Sequence, residues 1–364
     1  MFVITSLRLS GPLAPEELCN ETSKSHSLPM KYFLLLLIII YTGCAPQQNH
    51  SPEQVILRLG HNTPVNHPYD LAARKFAERV KSATNGDVQI KIYPSSQLGD
   101  SGDQLEGLLL GTLDFSIAAS SFASEFIPEF GIFSVPFLFD DVDHFGAVFD
   151  GKVGKMLDSL AQIRYRIRFI GALSSGDRAF FNSSRKVENV ADLNGLKVRV
   201  MSGKADALTW QAFGAIPTPM PYSEVYSALQ AGVIDGAEND PASILNNRFY
   251  ETCPYLSLTN HLVLPMGIFA SQHAFHRLTE RQWKIILQEA LWTGKWQREY
   301  MEGQNLLAVQ VMEKDFGVRI SHPDRKLFMT MVNTLQDDFA RELNAVELLR
   351  QVRVAQQNIK NKPL

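Results

Sequence analysis

Apolar residues alternate with their neighbours over 55–59, 88–92 and 196–200, the period-2 signature of strands with one buried face. Between the first two, Tyr69, Ala72, Ala73, Phe76, Ala77 and Val80 recur at helical spacing behind Pro68, and Asn85-Gly86 supplies a stop. A helix over 103–110 and a strand over 115–118 complete a β-α-β-α-β rhythm, which predicts a mainly parallel sheet with helices on its faces. Such sheets bind small molecules beyond the carboxyl ends of their strands, where Asn62, Gln97 and Ala119 fall.

The alternation resumes in a second unit, with a strand over 168–173 leading into Ser174-Ser175-Gly176-Asp177-Arg178, another over 197–201, and a helix around 205–213. Ser223 is placed to cap a helix running through Ala231, and Gly236 to permit a sharp exit before Glu238 and Asn239. Asp240-Pro241 then opens a helix with Asp as cap and Pro in the first turn, and 266–271 reads as a strand returning to the first unit. Thr279 and Gln282 have capping-box spacing for a helix continuing towards Phe316, with Gly317 as its stop. Unbroken, that helix would be about 55 Å long and could strut two domains. A break near Thr293-Gly294 would make it two helices instead.

Composition sets outer bounds. With 364 residues, 45% of them hydrophobic and 20% charged, the chain is an ordinary globular one, long enough for two domains. Its formal net charge is −3 and it has no basic block, RNA-binding signature or zinc-finger spacing, so no nucleic-acid partner is expected. Met30-Lys31, the apolar run YFLLLLIIIY over 32–41, and Thr42-Gly43-Cys44 read as the charged, apolar and cleavage regions of an export signal. The run is shorter than the roughly 20 apolar residues that a membrane-crossing helix needs. Small residues before a cysteine resemble a bacterial lipobox, which implies cleavage after Gly43 and lipidation of Cys44; a cut elsewhere, or an uncleaved anchor, are the other readings. Met30 is then the expected start, with 1–43 as leader and lipoprotein signal peptide. Of Cys19, Cys44 and Cys253, only Cys253 would remain free in the folded part, so no internal disulfide is expected there and Cys253 reads as a packed residue.

The chemistry concentrates in 191–239, where ADLNGLKVRV and then GAIPTPMPYSEVYSALQAGVIDGAEN set two polar anchors, Arg199 and Asn239, in apolar α/β sequence. Alternation puts Leu196, Val198 and Val200 on one face and Lys197 and Arg199 on the other, so Arg199 points away from the apolar layer. A guanidinium offers parallel N–H donors that match the two oxygens of a carboxylate, a geometry Lys cannot reproduce. A solvated strand arginine would show the same pattern. Nothing in the chain reads as HExxH, GxSxG, CxxC or a Walker-type loop. Asp140-Asp141 and Asp235 with Glu238 read as cap and turn residues, and His61 with His67 is a weak candidate for metal. An enzyme is therefore not expected, and neither a cofactor nor a metal is.

In order and spacing, LRLGHNTPVNHP, YPSSQLGD, GTLDFSIA, VPFLFDD and the 191–239 segment resemble the solute-binding proteins of TRAP transporters, the DctP-type family whose members include C4-dicarboxylate and sialic-acid binders. The likeness covers nearly all of the chain beyond the leader. It implies an α/β, two-domain, periplasmic-binding-protein-like fold of type II-like form, with a ligand cleft between the domains and a long helix bridging them. Domain I is expected over 54–174 plus 265–304, domain II over 175–264 plus 305–354, with 44–53 as a lipid-anchored tether and 355–364 as a tail. Carried over, Arg199 clamps a carboxylate, Arg178 makes a second anion contact, Asn239 hydrogen-bonds the solute, Tyr222 lays an aromatic ring against it, and Asn62 sits at the tip of the first strand. The implied partners are a small organic acid (dicarboxylate, monocarboxylate or sugar acid), the small and large membrane subunits of the permease, and the membrane holding the anchor on the extracytoplasmic, periplasmic side. Sialic-acid binders carry an acidic pair whose positions are Ser101 and Ala119 here, which disfavours that ligand; His61, Asp100, Ser121 and Phe122 are candidates for tuning the choice. A sensor of the same fold, presenting solute to a membrane receptor, is the alternative.

Overall fold

The computed structural model describes residues 54–360; the leader, Met30 and Cys44 lie outside them. β1 (Val55–His61), α1 (Pro68–Ala83), β2 (Val88–Tyr93), α2 (Ser101–Leu110), β3 (Phe115–Ala119) and α3 (Ser120–Phe126) form the expected alternating unit, with β1 parallel to both β2 and β3. α4 (Val142–Phe149) and α5 (Lys152–Tyr165) lead to β4 (Ile167–Asp177). The second unit contains β5 (Ala179–Asn182), β6 (Lys197–Val200), α6 (Lys204–Ala212), β7 (Ile216–Pro219), α7 (Val225–Gln230), β8 (Gly236–Asn239), α8 (Pro241–Asn246) and β9 (Tyr255–Ser257). β10 (Val263–Ser271), α9 (Gln272–His276) and α10 (Glu280–Phe316) follow, then β11 (Arg319–Ser321), α11 (Arg325–Met331), α12 (Leu335–Glu342) and α13 (Val346–Lys360).

Two sheets result, ordered β2-β1-β3-β10-β4 and β11-β9-β5-β8-β6-β7. The first is mixed rather than mainly parallel, because β10 returns from the second sheet and so runs antiparallel to both β3 and β4. In the second, β6 is parallel to β7 and β8, while β5 is antiparallel to β8 and β9. Phe76 of α1 meets Phe115 of β3 edge-on under the first sheet, and Phe180, Trp210, Phe213 and Phe328 bury against Val198 and Val200 in the second. Each such side chain contributes about 1.5–3 kcal/mol of burial. No helix among the described residues is long and apolar enough to cross a membrane.

The crossings between the sheets position the site. β4 ends at Asp177 and β5 begins at Ala179, leaving only Arg178 between them, and its N–H donates at 2.9 Å to the O of Leu262, the residue just before the returning strand. The preceding Gly176 takes φ 62, a left-handed turn that favours glycine, and a Cβ there would lie 2.5 Å from Asn305 Nδ2. The third link, α10, is one unbroken helix of 37 residues with the predicted capping box and Gly317 at φ 65. It does not break at Gly294, because that glycine brings the helix against the sheet: a Cβ there would sit 2.7 Å from Ala172 O. β4 is an edge strand, and α10 satisfies its outer edge. Gln297 Nε2 donates to Ser174 O at 3.0 Å and its Oε1 accepts from Ser174 N at 2.9 Å, while Arg298 and Asn305 donate to Ala172 O and Ser175 O.

Three local expectations fail for physical reasons. Ser223 lies in the 3-10 turn Tyr222–Glu224 rather than capping a helix, and its hydroxyl donates to Asp100 Oδ2 at 2.5 Å, so α7 starts only at Val225. The turn before β8 is made by Gly232 at φ 68, whereas Gly236 lies within β8, where a Cβ would sit 2.4 Å from Phe181 O. α13 runs on to Lys360, past the expected tail boundary. It packs on α4 and α5 beside the first sheet rather than with the second, and His144 Nε2 donates to Val352 O at 3.0 Å.

Candidate functional site

The carboxyl ends of β1, β3, β6 and β8 converge, and Asn62, Ala119, Arg199, Met201 and Asn239, all at or just beyond those ends, line one cavity of about 40 Å³. Lys197, at the start of β6, is exposed, but Arg199 on the same face is only 2% exposed, so it does not reach into solvent. Its Nε and Nη2 both donate to Met220 O, at 3.1 and 2.9 Å, and its Cζ lies 5.9 Å from the Tyr222 ring centroid. That contact occupies one edge of the guanidinium. The Nη1/Nη2 end meets no carboxylate among the described residues, so a buried cation is left without a direct ion-pair partner, which is costly. Burial pulls Arg199 down to about 10, with Glu238 working the other way, so it remains protonated at neutral pH.

Arg178 is different. Its Nε and Nη2 grip the Glu238 carboxylate at 2.5 and 2.8 Å, Nη2 also donates to Glu238 O at 2.9 Å, and Nη1 lies 3.9 Å from Asp240 Oδ2. Glu238 is thus no turn residue: it sits in β8 at 2% exposure. Burial opposes its charge, but Arg178 and His261 hold its carboxyl well below the usual range. His261 Nε2 stands 3.4 Å from Glu238 Oε2, and Nδ1 pairs with Thr259 Oγ1 at 2.8 Å. Asp235, the other member of that expected pair, accepts from Lys197 N at 2.7 Å.

Asp240 caps α8 as predicted, accepting from Ser243 N at 2.7 Å and Ser243 Oγ at 2.9 Å; burial raises it to about 6 against the pull of Arg178. This cap fixes Asn239, whose Oδ1 accepts from Asp240 N at 3.0 Å and whose Nδ2 donates to the Tyr222 hydroxyl at 3.3 Å. Asn247 Nδ2 donates to the same hydroxyl at 2.7 Å. Tyr222 is half-buried, and burial holds its hydroxyl protonated. Asn62, also half-buried, donates to Ser101 Oγ at 3.1 Å.

All five residues singled out in the sequence (Arg199, Arg178, Asn239, Tyr222 and Asn62) therefore line the same cavity. Of the four tuning candidates, Phe122 alone does. His61 is held by Asp70 and Thr63, Asp100 receives Ser223, and Ser121 bonds Ser134 at 2.7 Å. Ala119 lines the cavity, Ser101 reaches it through Asn62, and Gln97 is exposed outside it. Thr63, Tyr69, Ser243, Leu264 and Met266 complete the wall and were not foreseen. Tyr69 falls in the apolar stripe of α1 and reads as core, while Leu264 and Met266 belong to a strand whose crossing of the site no local pattern reveals.

His67 Nδ1 accepts from Tyr69 N, and its Nε2 donates to Ser243 Oγ at 2.8 Å; burial lowers it to about 3, so it stays neutral. Among the described residues no group of three or more His, Cys, Asp or Glu side chains is arranged to hold a metal ion. Cys253 is buried and its thiol is pushed up to about 12, the state of a packed residue rather than a nucleophile.

Residues 59–342 match the model of DctP, bacterial extracellular solute-binding protein, family 7. The chain is 33% identical over 288 residues to a solute-binding protein of Chromohalobacter salexigens, covering 79% of this chain and 85% of that one. A sugar acid binding protein from Advenella mimigardefordensis, in complex with galactonate, superposes with a TM-score of 0.79 at 26% identity, covering 83% of this chain and 99% of that one. A TRAP periplasmic solute binding protein from Chromohalobacter salexigens, with bound D-glucuronate, gives 0.78 at 30% identity over 82% and 99%. The chain belongs to the DctP family of bacterial extracellular solute-binding proteins, the solute-capturing components of TRAP transporters, and is a transport protein rather than an enzyme.

Proposed function

We infer that this protein captures a sugar acid, an aldonate or uronate, by pairing its carboxylate with Arg199, and delivers it to the small and large membrane subunits of its permease. The observation that carries this reading is the contrast between two buried arginines. Glu238 answers Arg178, whereas Arg199 lines the cavity with no ion-pair partner among the described residues. One unanswered cation calls for one carboxylate, which favours a monoacid over a dicarboxylate. Asn62, Asn239, Tyr222 and Ser243 supply the amide and hydroxyl groups that a hydroxylated carbon chain requires, while Arg178 on the same wall is already neutralised by Glu238. The galactonate and D-glucuronate bound to similar proteins are acids of this kind. Ser101 and Ala119 offer no carboxylate to a longer polyol tail, which counts against sialic acid.

Capture works by closure of two lobes built on the two sheets, the first from 54–174 and 265–304 with the C-terminal helix, the second from 175–264 and the segment after α10. A cavity of about 40 Å³ is far below the roughly 300–1,000 Å³ of open ligand clefts, so a hexose acid is admitted only when the lobes part. The bonds from His67 to Ser243 and from Ser223 to Asp100 join the lobes and are broken on opening, with Gly176 and Arg178 at the crossing as the pivot. The solute supplies the differential contacts that favour the closed state. Cleavage after Gly43 and lipidation of Cys44 would leave 44–53 as a tether holding the protein on the extracytoplasmic face of the membrane.

A thermal-shift screen tests this. D-galactonate, D-glucuronate, succinate, pyruvate and sialic acid are compared, a ligand at 1,000 times its Kd adding about 4 kcal/mol to the native state. Shifts confined to hexonates and uronates are expected, with affinity at least tenfold weaker in Arg199→Lys, which keeps the charge but loses the fork. A response to succinate alone, or equal affinity in Arg199→Lys, contradicts the assignment.

A further inference from the structure

We propose that the Tyr69 hydroxyl is a solute-binding donor that selects acids bearing a hydroxyl group on the carbon chain. This inference rests on the reading of Arg199 as the carboxylate anchor and adds the contact that distinguishes a sugar acid from a plain one. Tyr69 is the second residue of α1, is 3% exposed and lines the cavity together with Arg178, Asn239 and Ser243. Its hydroxyl has no hydrogen-bond partner among the described residues. Other buried side-chain atoms lack partners too, on Glu129, Asp206, His261, Gln272 and Thr293, but none of those residues lines this cavity. A buried hydroxyl without a partner is disfavoured, and where packing alone is needed phenylalanine serves as well.

The surroundings fix the ring while leaving its oxygen free. Tyr69 N donates to His67 Nδ1 at 3.2 Å, and the two rings pack with centroids 4.7 Å apart. His67 is held in turn by Ser243, and the neighbouring Asp70 is engaged by His61, Arg74 and the N–H of Asn66. Burial, with Asp240 nearby, keeps the phenol protonated, so it remains a donor. Tyr69 and Arg199 come from opposite sheets: α1 follows β1 in the first unit, and Arg199 is in β6 of the second. A carboxylate anchored at Arg199 therefore leaves the rest of the solute to meet Tyr69, and the same contact draws the lobes together. An oxygen on the carbon chain satisfies the phenol; a methylene strands it, and sites built to hydrogen-bond a hydroxyl reject analogues that lack it.

The test is Tyr69→Phe in the full chain, titrated calorimetrically beside the wild type with D-galactonate and with its monodeoxy analogues. The wild type is expected to lose about tenfold in affinity for the analogue missing the contacted hydroxyl, and Tyr69→Phe about tenfold for galactonate itself. In the variant the same analogue then binds as well as galactonate, the coupling that a double-mutant cycle reads. Thermal unfolding of the variant without solute should match or exceed the wild type. Undiminished galactonate binding by Tyr69→Phe, an unchanged penalty for every deoxy analogue, or a lower melting temperature without solute each overturns the proposal. A folded wild type that binds none of these acids, with Arg199→Ala equally silent, removes the carboxylate reading itself and this inference with it.

Discussion

Replacing Arg199 with Met should make the protein more stable and useless at once. Methionine keeps an unbranched stem of similar reach but carries no charge into a position that is 2% exposed. Burial depresses this arginine from its ordinary value to about 10, a penalty on the charged form. At about 1.36 kcal/mol per pH unit that is roughly 3 kcal/mol held against the fold without solute. The substitution removes this penalty but strands Met220 O, whose two donors at 3.1 and 2.9 Å disappear. Losing them costs about 1 kcal/mol, because Met220 is only half-buried and water can take their place. A net gain of about 2 kcal/mol follows, in line with the neutral-to-stabilising outcome of replacing other buried ions by apolar groups. Urea unfolding monitored by tryptophan fluorescence, with and without saturating D-galactonate, reads both effects. The wild type should gain about 4 kcal/mol from acid at 1,000 times Kd, and the variant nothing. A variant that is weaker than wild type without acid, yet still stabilised by it, would refute the claim that Arg199 is a stored charge awaiting a carboxylate.

Asp206 of α6 gives a pH-dependent counterpart: it is 4% exposed, its Oδ2 has no partner among the described residues, and burial, reinforced by Glu238, raises it to about 7. The unfolded chain ionises this group near pH 3.9 while the fold retains the proton to about 7, so its contribution to stability falls across pH 4 to 7 and stays lost above, by up to about 4 kcal/mol. Asp206→Asn should therefore flatten that slope and raise the urea midpoint at pH 8 more than at pH 4, and equal shifts at the two pH values would contradict the assignment. Cys44→Ala should release the protein from the membrane fraction or block its processing; unaltered processing and attachment would exclude the anchor.

Much of this architecture was legible because it rests on local chemistry. The caps of α8 and α10, the alternation in β1, β2 and β6, and the stop at Gly317 each follow from neighbouring side chains meeting backbone groups within a few residues. Where the reading failed, a partner distant in sequence had taken the residue. Asp100 claims Ser223 from 123 positions away. Gly294 reads as a helix breaker on propensity, but the close approach of Ala172 O makes it the residue that lets α10 pass unbroken. β10 reverses direction because the chain has to come back from another sheet, a fact of topology that no window of residues carries.

The two site arginines show the same limit in electrostatic form. Arg199 lies between Val198 and Val200 and Arg178 between Asp177 and Ala179, yet both read as anion contacts. Their difference arises only when β8 docks between β5 and β6, with Phe180 opposite Glu238 and Arg199 opposite Ala237. That register delivers the one fully ionised carboxylate of β8 to Arg178 and leaves Arg199 without one. A one-residue slip would turn Glu238 to the other face of the sheet and end this pairing. On the proposed reading, preference for a single carboxylate is thus set by strand register as much as by the presence of arginine. A related chain could keep both arginines and still change its preference by losing the glutamate between them.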